Sequence, residues 1–224
     1  MDLTIDIETV PTQKEALKKL VVEGVSPPGN YKKAETIEKW WKEYGEQEKE
    51  DKYRATALNG TYGEITHIGY AFDDEDPQCL YRTLEEPESD VLKAFMDALH
   101  NRMRSGRPEP IKWIGHYITG FDLRFIWNRL VINQIKPSIK IPYDVKPWAD
   151  NVYDTAIEWG GLSKGSTSCR LDEICKAFGY EGKGDIDGSK VWDYMKAGKT
   201  EEVAEYCKDD VIKARLLYKR MNFK

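Results

Sequence analysis

The sequence predicts an α/β domain built on a mixed sheet. Two observations carry this. Short period-two strands occupy the first ten residues and the stretch 63–84, and the chain beyond alternates helical periodicity with further short apolar strands. The predicted order is three strands, a helix, a strand, a helix, a short strand and then helices. With 40% hydrophobic and 33% charged residues over 224 positions, the balance is that of an ordinary globular chain. A chain of this length buries roughly 70% of its unfolded surface and needs no disulfide or structural metal to fold. One domain covering 1–224 is expected, with an insertion at 12–57.

The elements follow in order. Leu3, Ile5 and Ile7 alternate with Thr4, Asp6 and Glu8, and Pro11 ends this first strand. The segment 12–57 is different: KEALKKLVVEG and a PPGN turn precede a highly charged helix in which Ile37, Trp40, Trp41 and Tyr44 recur at helical spacing. That pattern predicts a surface helix docked by one aromatic stripe, serving as a clamp, a lid or the cover of a sheet edge. EITHIGYAF and QCLYRTL form a hairpin turning at DDEDP. EPESDVLKAFMDALHNRM is an amphipathic helix with Ser89 or Asp90 as its cap. IKWIGH is a buried strand, and a helix starts near Phe121. NVYDTAIEW is a short strand or helix, LDEICKAFGY a helix ended by Gly179, and EGKGDIDGSK a loop. SKVWDYMKAG and TEEVAEYCKDDVIKARLLYKRM complete the chain as helices, the last capped by Thr200.

Several classes are excluded or disfavoured at this level. The chain has no run of about 18 apolar residues, so no membrane helix is expected. MDLTIDIETV carries acids where a signal peptide has a basic region, so a cytoplasmic location is expected. The four cysteines contain no C-x-x-C pair and imply neither a zinc site nor an oxidising compartment. The 34 basic against 39 acidic residues give a formal net charge of −5, which argues against a general basic coat for nucleic acid.

The carboxylates point elsewhere. Asp6 and Glu8 stand at i and i+2 on one strand and so share a face, where two like charges are costly without a shared cation. Asp122 sits at a helix start after the glycine-flanked turn GHYITGFD. Tyr206 and Asp210, at i and i+4, share a face of the last helix, while Asp209 points away as a solvated charge. Each has a plain alternative: a strand end reaching solvent for Asp6 and Glu8, a helix cap for Asp122.

Taken in order, D-x-E, F-D and Y-x-x-x-D resemble the motifs of the DEDD exonuclease superfamily, in its tyrosine subgroup. The words TIDIETVP, ITHIGYAF, IGHYITGFDLRFI, GDIDGSKVW and EYCKDDVIKARLLY are similar to stand-alone exonucleases related to the proofreading domain of family B DNA polymerases. The likeness covers 1–10 and about 62–221, and no polymerase domain is expected. It implies a ribonuclease H-like fold with a mixed five-stranded sheet flanked by helices.

The resemblance also implies the chemistry. Asp6, Glu8, Asp122 and Asp210 would bind two divalent ions, Mg2+ or Mn2+, in a hard-oxygen site. Asp6 would bridge both ions, Glu8 and Asp210 would hold the one that generates the nucleophile, and Asp122 would reach the other through water. Tyr206 would orient the attacking water. The expected reaction is 3′-to-5′ hydrolysis of the terminal phosphodiester of single-stranded or frayed DNA, releasing nucleoside 5′-monophosphates. Thr9, Val10, His116, Tyr117 and Phe121 are the candidate substrate contacts. Tyr117 departs from the relatives, which typically read G-H-N there. Lys183 and Lys190 flank a loop that would hold phosphates. Two other readings stand beside this one: an exoribonuclease with the same site, and a catalytically silent nucleic-acid-binding or scaffold module. The 12–57 insertion is the candidate docking place for a protein partner. With four of the acids set aside as a cation site, the remaining surface is nearly neutral. Binding is then expected to depend on divalent metal more than on a broad basic grip.

Overall fold

The structure, a computed structural model, describes residues 1–105, 110–146, 149–161, 169–180 and 186–224. Five strands form one mixed sheet in the order β3-β2-β1-β4-β5. They are β1 (Asp2–Val10), β2 (Glu64–Phe72), β3 (Gln78–Tyr81), β4 (Lys112–Gly115) and β5 (Val152–Asp154). β1–β2 and β2–β3 pair antiparallel, while β1–β4 and β4–β5 pair parallel. The helices are α1 (Glu15–Glu23), α2 (Ala34–Arg54), α3 (Glu88–Ser105), α4 (Asp122–Ile132), α5 (Thr155–Gly160), α6 (Leu171–Ala177), α7 (Val191–Lys196) and α8 (Thr200–Met221). No helix among the described residues is long and apolar enough to cross a membrane.

The two faces of the central β1–β2 pair differ in kind. On one, the opposed pairs are Leu3–Phe72, Ile5–Tyr70 and Ile7–Ile68, and they join Phe95, Leu92 and Leu99 of α3 and Leu123 and Ile126 of α4 in the main core. On the other face the pairs are Thr4–Ala71, Asp6–Gly69 and Glu8–His67. Helix α8 lies on this second face. A Cβ at Gly69 would stand 2.8 Å from the Cys207 sulfur and 3.1 Å from the Cys207 carbonyl oxygen, so only glycine lets the helix sit this low.

Under α3 and α4, the buried Glu88 carboxylate holds the Arg129 guanidinium at 2.6 and 2.8 Å and the Ile65 N–H at 2.7 Å, satisfying each buried charge.

The segment between β1 and β2 is rooted at both its ends. The Thr9 hydroxyl donates to the Ala57 carbonyl, and the Thr12 N–H donates to the Thr56 hydroxyl. Arg54 makes a two-pronged ion pair with Asp193 of α7, and Tyr53 meets Trp192 edge-on. The expected docking stripe is corrected here: Trp40 is buried and Ile37 half-buried, but Trp41 and Tyr44 are exposed, so the covered side of α2 runs through Trp40, Gly45 and Tyr53 instead. Two caps are corrected as well. Helix α3 begins at Glu88, so Ser89 and Asp90 lie within its first turn, and Thr200 is the first helical residue of α8 rather than its cap.

The close packing over Gly69 sets a test. Gly69→Ala forces Cys207 and Val211 outward, and overpacking of this kind costs about 1–3 kcal/mol. Urea unfolding of this variant should show a lower midpoint at unchanged slope.

Candidate active site

Asp6 and Glu8 project from β1 towards α8, on the face where their neighbours are Gly69 and His67. The third acid arrives by a different route. β4 pairs with β1 only at Asp2, Leu3 and Thr4 and then turns away at Gly115. This leaves the N–H of Ile7 without a strand partner, and Asp122 at the start of α4 accepts it at 3.1 Å. The buried Asp122 is thereby fixed against the strand, between Asp6 and Glu8 in sequence position.

Helix α8 supplies the rest. Tyr206 packs at the edge of a small cluster formed by Val10, Val191, Met195 and Val203, one helical turn before Asp210 on α8. Cys207 places its sulfur 3.4 Å from Asp6 Oδ2. Ligand atoms of Asp6, Glu8 and Cys207 lie within 4.8 Å of one another. Asp210 is buried and has its Oδ1 3.1 Å from Lys213 Nζ, which also reaches Asp209 at 3.0 Å and Asp172 at 2.6 Å. Asp209 is therefore an ion-pair partner and not the solvated charge its position suggested.

The electrostatics of this pocket are unfavourable to the bare carboxylates. Burial, followed by the charges of Glu8, Asp210 and Asp122, pushes Asp6 well above the usual carboxylate range. Burial and the charges of Asp210 and Asp122 do the same to Glu8. Asp122 is pushed up to about 7, first by burial and then by the nearby Asp154, against the pull of the Ile7 N–H. Asp210 also rises through burial, opposed by Lys213. Tyr206 is driven up by burial and then by Glu8, Asp210 and Asp6, so its phenol stays protonated and acts as a donor. Four acids that resist ionising together form a donor set suited to a hard divalent cation, which removes the mutual repulsion.

The predicted substrate contacts divide. Tyr117 is 57% exposed and has a left-handed backbone with φ of 59°. Phe121 is half-buried, lying 5.2 Å from the Phe125 ring at the edge of the core. Val10 is fully buried, and the Thr9 hydroxyl is taken by Ala57. Both ring nitrogens of His116 are engaged, Nδ1 with the Thr155 hydroxyl and Nε2 with the Cys169 carbonyl. Lys190 lies 3.8 Å from Asp187, and Lys183 lies outside the described residues. Sequence reasoning missed Cys207, Lys213 and Asp154. The lysine was within reach, since it stands three residues after Asp210 and four after Asp209 on one helix.

The chain is similar to the family B DNA polymerase from the hyperthermophilic archaeon Pyrobaculum calidifontis, with a TM-score of 0.54 and 14% identity over 98% of this chain and 24% of the polymerase. The chain thus spans about a quarter of that polymerase's length, and at this identity the likeness speaks for the fold. It accords with the ribonuclease H-like architecture expected from the motifs. No curated protein sequence matches the chain. The family model for predicted 3′-5′ exonucleases related to the exonuclease domain of PolB matches residues 58–224, which include Asp122, Tyr206 and Asp210 but not the strand bearing Asp6 and Glu8. Three quarters of the sequence fall within that match, and the chain belongs to this family of predicted 3′-5′ exonucleases.

Proposed function

We propose that the protein is a 3′-to-5′ exodeoxyribonuclease that removes nucleoside 5′-monophosphates from single-stranded or frayed DNA ends. The observation that carries this reading is the clustering of Asp6, Glu8, Asp122 and Asp210, close enough that the charges of Asp122 and Asp210 push both Asp6 and Glu8 up, with Tyr206 one helical turn before Asp210, in a chain of this exonuclease family. DNA is favoured over RNA by the family's relation to a DNA polymerase domain.

Asp6, Glu8, Asp122 and Asp210 would hold the divalent cations, taken as two Mg2+ or Mn2+ ions. Bound there, such ions supply Lewis-acid stabilisation of the charge that develops at the phosphorus and lower the pKa of water. The remaining work falls to the chain. Asp122 is oriented by the Ile7 N–H at its Oδ1, which leaves Oδ2 for a cation and would limit the loss of order on binding. Lys213 neutralises one side of Asp210 and leaves the other oxygen to the site. Tyr206, protonated across the working pH range, hydrogen-bonds and aims the attacking water. It is not a base, because its phenol is held above its ordinary value. Tyr117, exposed on the turn five residues before Asp122, would offer a ring for stacking against the terminal base, a contact indifferent to sequence.

Three outcomes test the reading. Asp6→Asn or Asp210→Asn should lower nucleotide release from a 3′-labelled oligonucleotide at least about a hundredfold, the scale expected when a group stabilising transition-state charge is lost. Undiminished release in either variant overturns the assignment, and a matched RNA oligonucleotide cleaved faster than the DNA overturns the choice of substrate. Tyr206→Phe should lower kcat about 10- to 100-fold with a smaller change in KM, since it removes the orienting hydroxyl and leaves the carboxylates.

The third outcome concerns pH. Asp122 has a folded pKa of about 7, above its unfolded value, so its contribution to stability is present at low pH and lost as pH rises through about 7. Asp6, Glu8 and Asp210 shift the same way. A saturating divalent ion should therefore raise the melting temperature more at pH 8 than at pH 5. At a hundred times Kd the gain is about 2.7 kcal/mol, or roughly 5–10 °C for a chain of this size. Equal stabilisation at the two pH values would count against the pocket as the binding site.

A further inference from the structure

The turn from β4 into α4, residues 116–121, carries both Tyr117 and the entry to Asp122, and its backbone is strained. Tyr117 adopts a left-handed conformation that non-glycine residues avoid. Its ring lies over Gly120, where a Cβ would stand 2.4 Å from the ring carbon Cζ. Such a turn persists only when its surroundings impose it.

The imposing group is a carboxylate outside the four of the acidic pocket. Asp154, buried at the end of β5, accepts five hydrogen bonds. Its Oδ1 takes the N–H groups of Tyr117 at 2.9 Å, Ala156 at 3.1 Å and Ile157 at 3.4 Å. Its Oδ2 takes the Thr119 N–H at 3.0 Å and the Thr119 hydroxyl at 2.6 Å. Two of the five cap α5, which is all that a helix cap requires. The other three reach across to the turn. The next residue, Thr155, completes the hold: its hydroxyl donates to the Gly115 carbonyl at 3.2 Å and meets His116 Nδ1 at 2.9 Å. Consecutive residues of β5 and α5 therefore fasten the turn from Gly115 to Thr119, and the N–H groups of Phe121 and Leu123 tie the start of α4 back to the carbonyls of Tyr117 and Ile118.

We propose that Asp154 is a positioning residue of the active site. Its carboxylate fixes the turn that aims Asp122 into the acidic pocket and keeps Tyr117 outward, where the terminal nucleotide would meet it. This rests on the nuclease reading above and adds to it a residue that touches neither cation nor substrate. A charged acceptor is needed because Thr119 presents two donors to the same oxygen, and a neutral amide there would oppose donor to donor.

The experiment uses the full chain and compares Asp154→Asn, Thr119→Val and Thr119→Ser. Each is measured for Mn2+ affinity by electron paramagnetic resonance without nucleic acid, for kcat and KM on a 3′-labelled DNA oligonucleotide, and for stability in urea. Asp154→Asn should weaken Mn2+ binding and lower kcat at least about tenfold per folded molecule, the loss typical when a group orienting a metal ligand is removed. Thr119→Val should lower kcat about threefold, and Thr119→Ser, which keeps the hydroxyl, should restore wild-type values. If Asp154→Asn fails to fold, the contrast between the two Thr119 variants decides. Wild-type Mn2+ affinity and kcat in every folded variant, with stability alone reduced, overturns the proposal. A wild-type chain that binds Mn2+ but releases no nucleotide overturns the nuclease reading instead, and the Mn2+ comparison still decides the role of Asp154.

Discussion

The approach of α8 to the sheet over Gly69 is the constraint on which the rest of the structure depends. On the opposite face, bulky pairs hold α3 and α4 at the distance that aliphatic side chains dictate. On the α8 face, a glycine opposite Asp6 removes that spacer, and Cys207 fills the gap with its sulfur against both Gly69 and Asp6. Only at this depth do Tyr206 and Asp210, the residues flanking Cys207 along the helix, come level with the acids of β1. The packing side of the helix and its chemical side are thus one surface.

That surface holds charge at a cost to folding. Buried carboxylates with raised pKa values oppose stability as they ionise, and the four in this pocket all shift that way. The chain limits the cost locally: Lys213 offsets Asp210 and the Ile7 N–H offsets Asp122. Asp6 and Glu8 have the least compensation. Their charge remains to be balanced from outside, which is the condition for a site that takes up cations without itself becoming neutral. Elsewhere among the described residues buried ions are paired, as Glu88 and Arg129 show, so the charge imbalance in the pocket is a local feature.

Much of this was legible in the sequence, for physical reasons that differ by residue. Asp6 and Glu8 stood out because i and i+2 share one face of a strand, where two like charges are costly without a shared cation. Tyr206 and Asp210 were legible because i and i+4 share a helix face. The role of Ile7 was not, since it depends on β4 leaving β1 after Thr4, a tertiary event with no local signal. His116 and Val10 were read as substrate contacts from their places in the motifs, yet one ring is consumed by Thr155 and Cys169 and the other side chain by a core cluster. Trp41 and Tyr44 followed a helical period that promised burial, but a period shows which residues share a face and not whether anything covers it. Asp154 was visible only as an acid between a strand and a helix, which reads as an ordinary cap.

The segment between β1 and β2 has one more consequence. Its two ends are stitched together by Thr9 to Ala57 and Thr12 to Thr56, so the sheet is closed there whatever the intervening chain does. The entropy of closing a loop grows only as the logarithm of its length, about 0.6 kcal/mol for each doubling. The strand that bears Asp6 and Glu8 is therefore insulated from what lies beyond the stitch. The outer turns of α2, with Trp41 and Tyr44 exposed, are a place where the chain can be lengthened, shortened or given a new surface without re-registering Asp6 and Glu8 against Gly69 and His67.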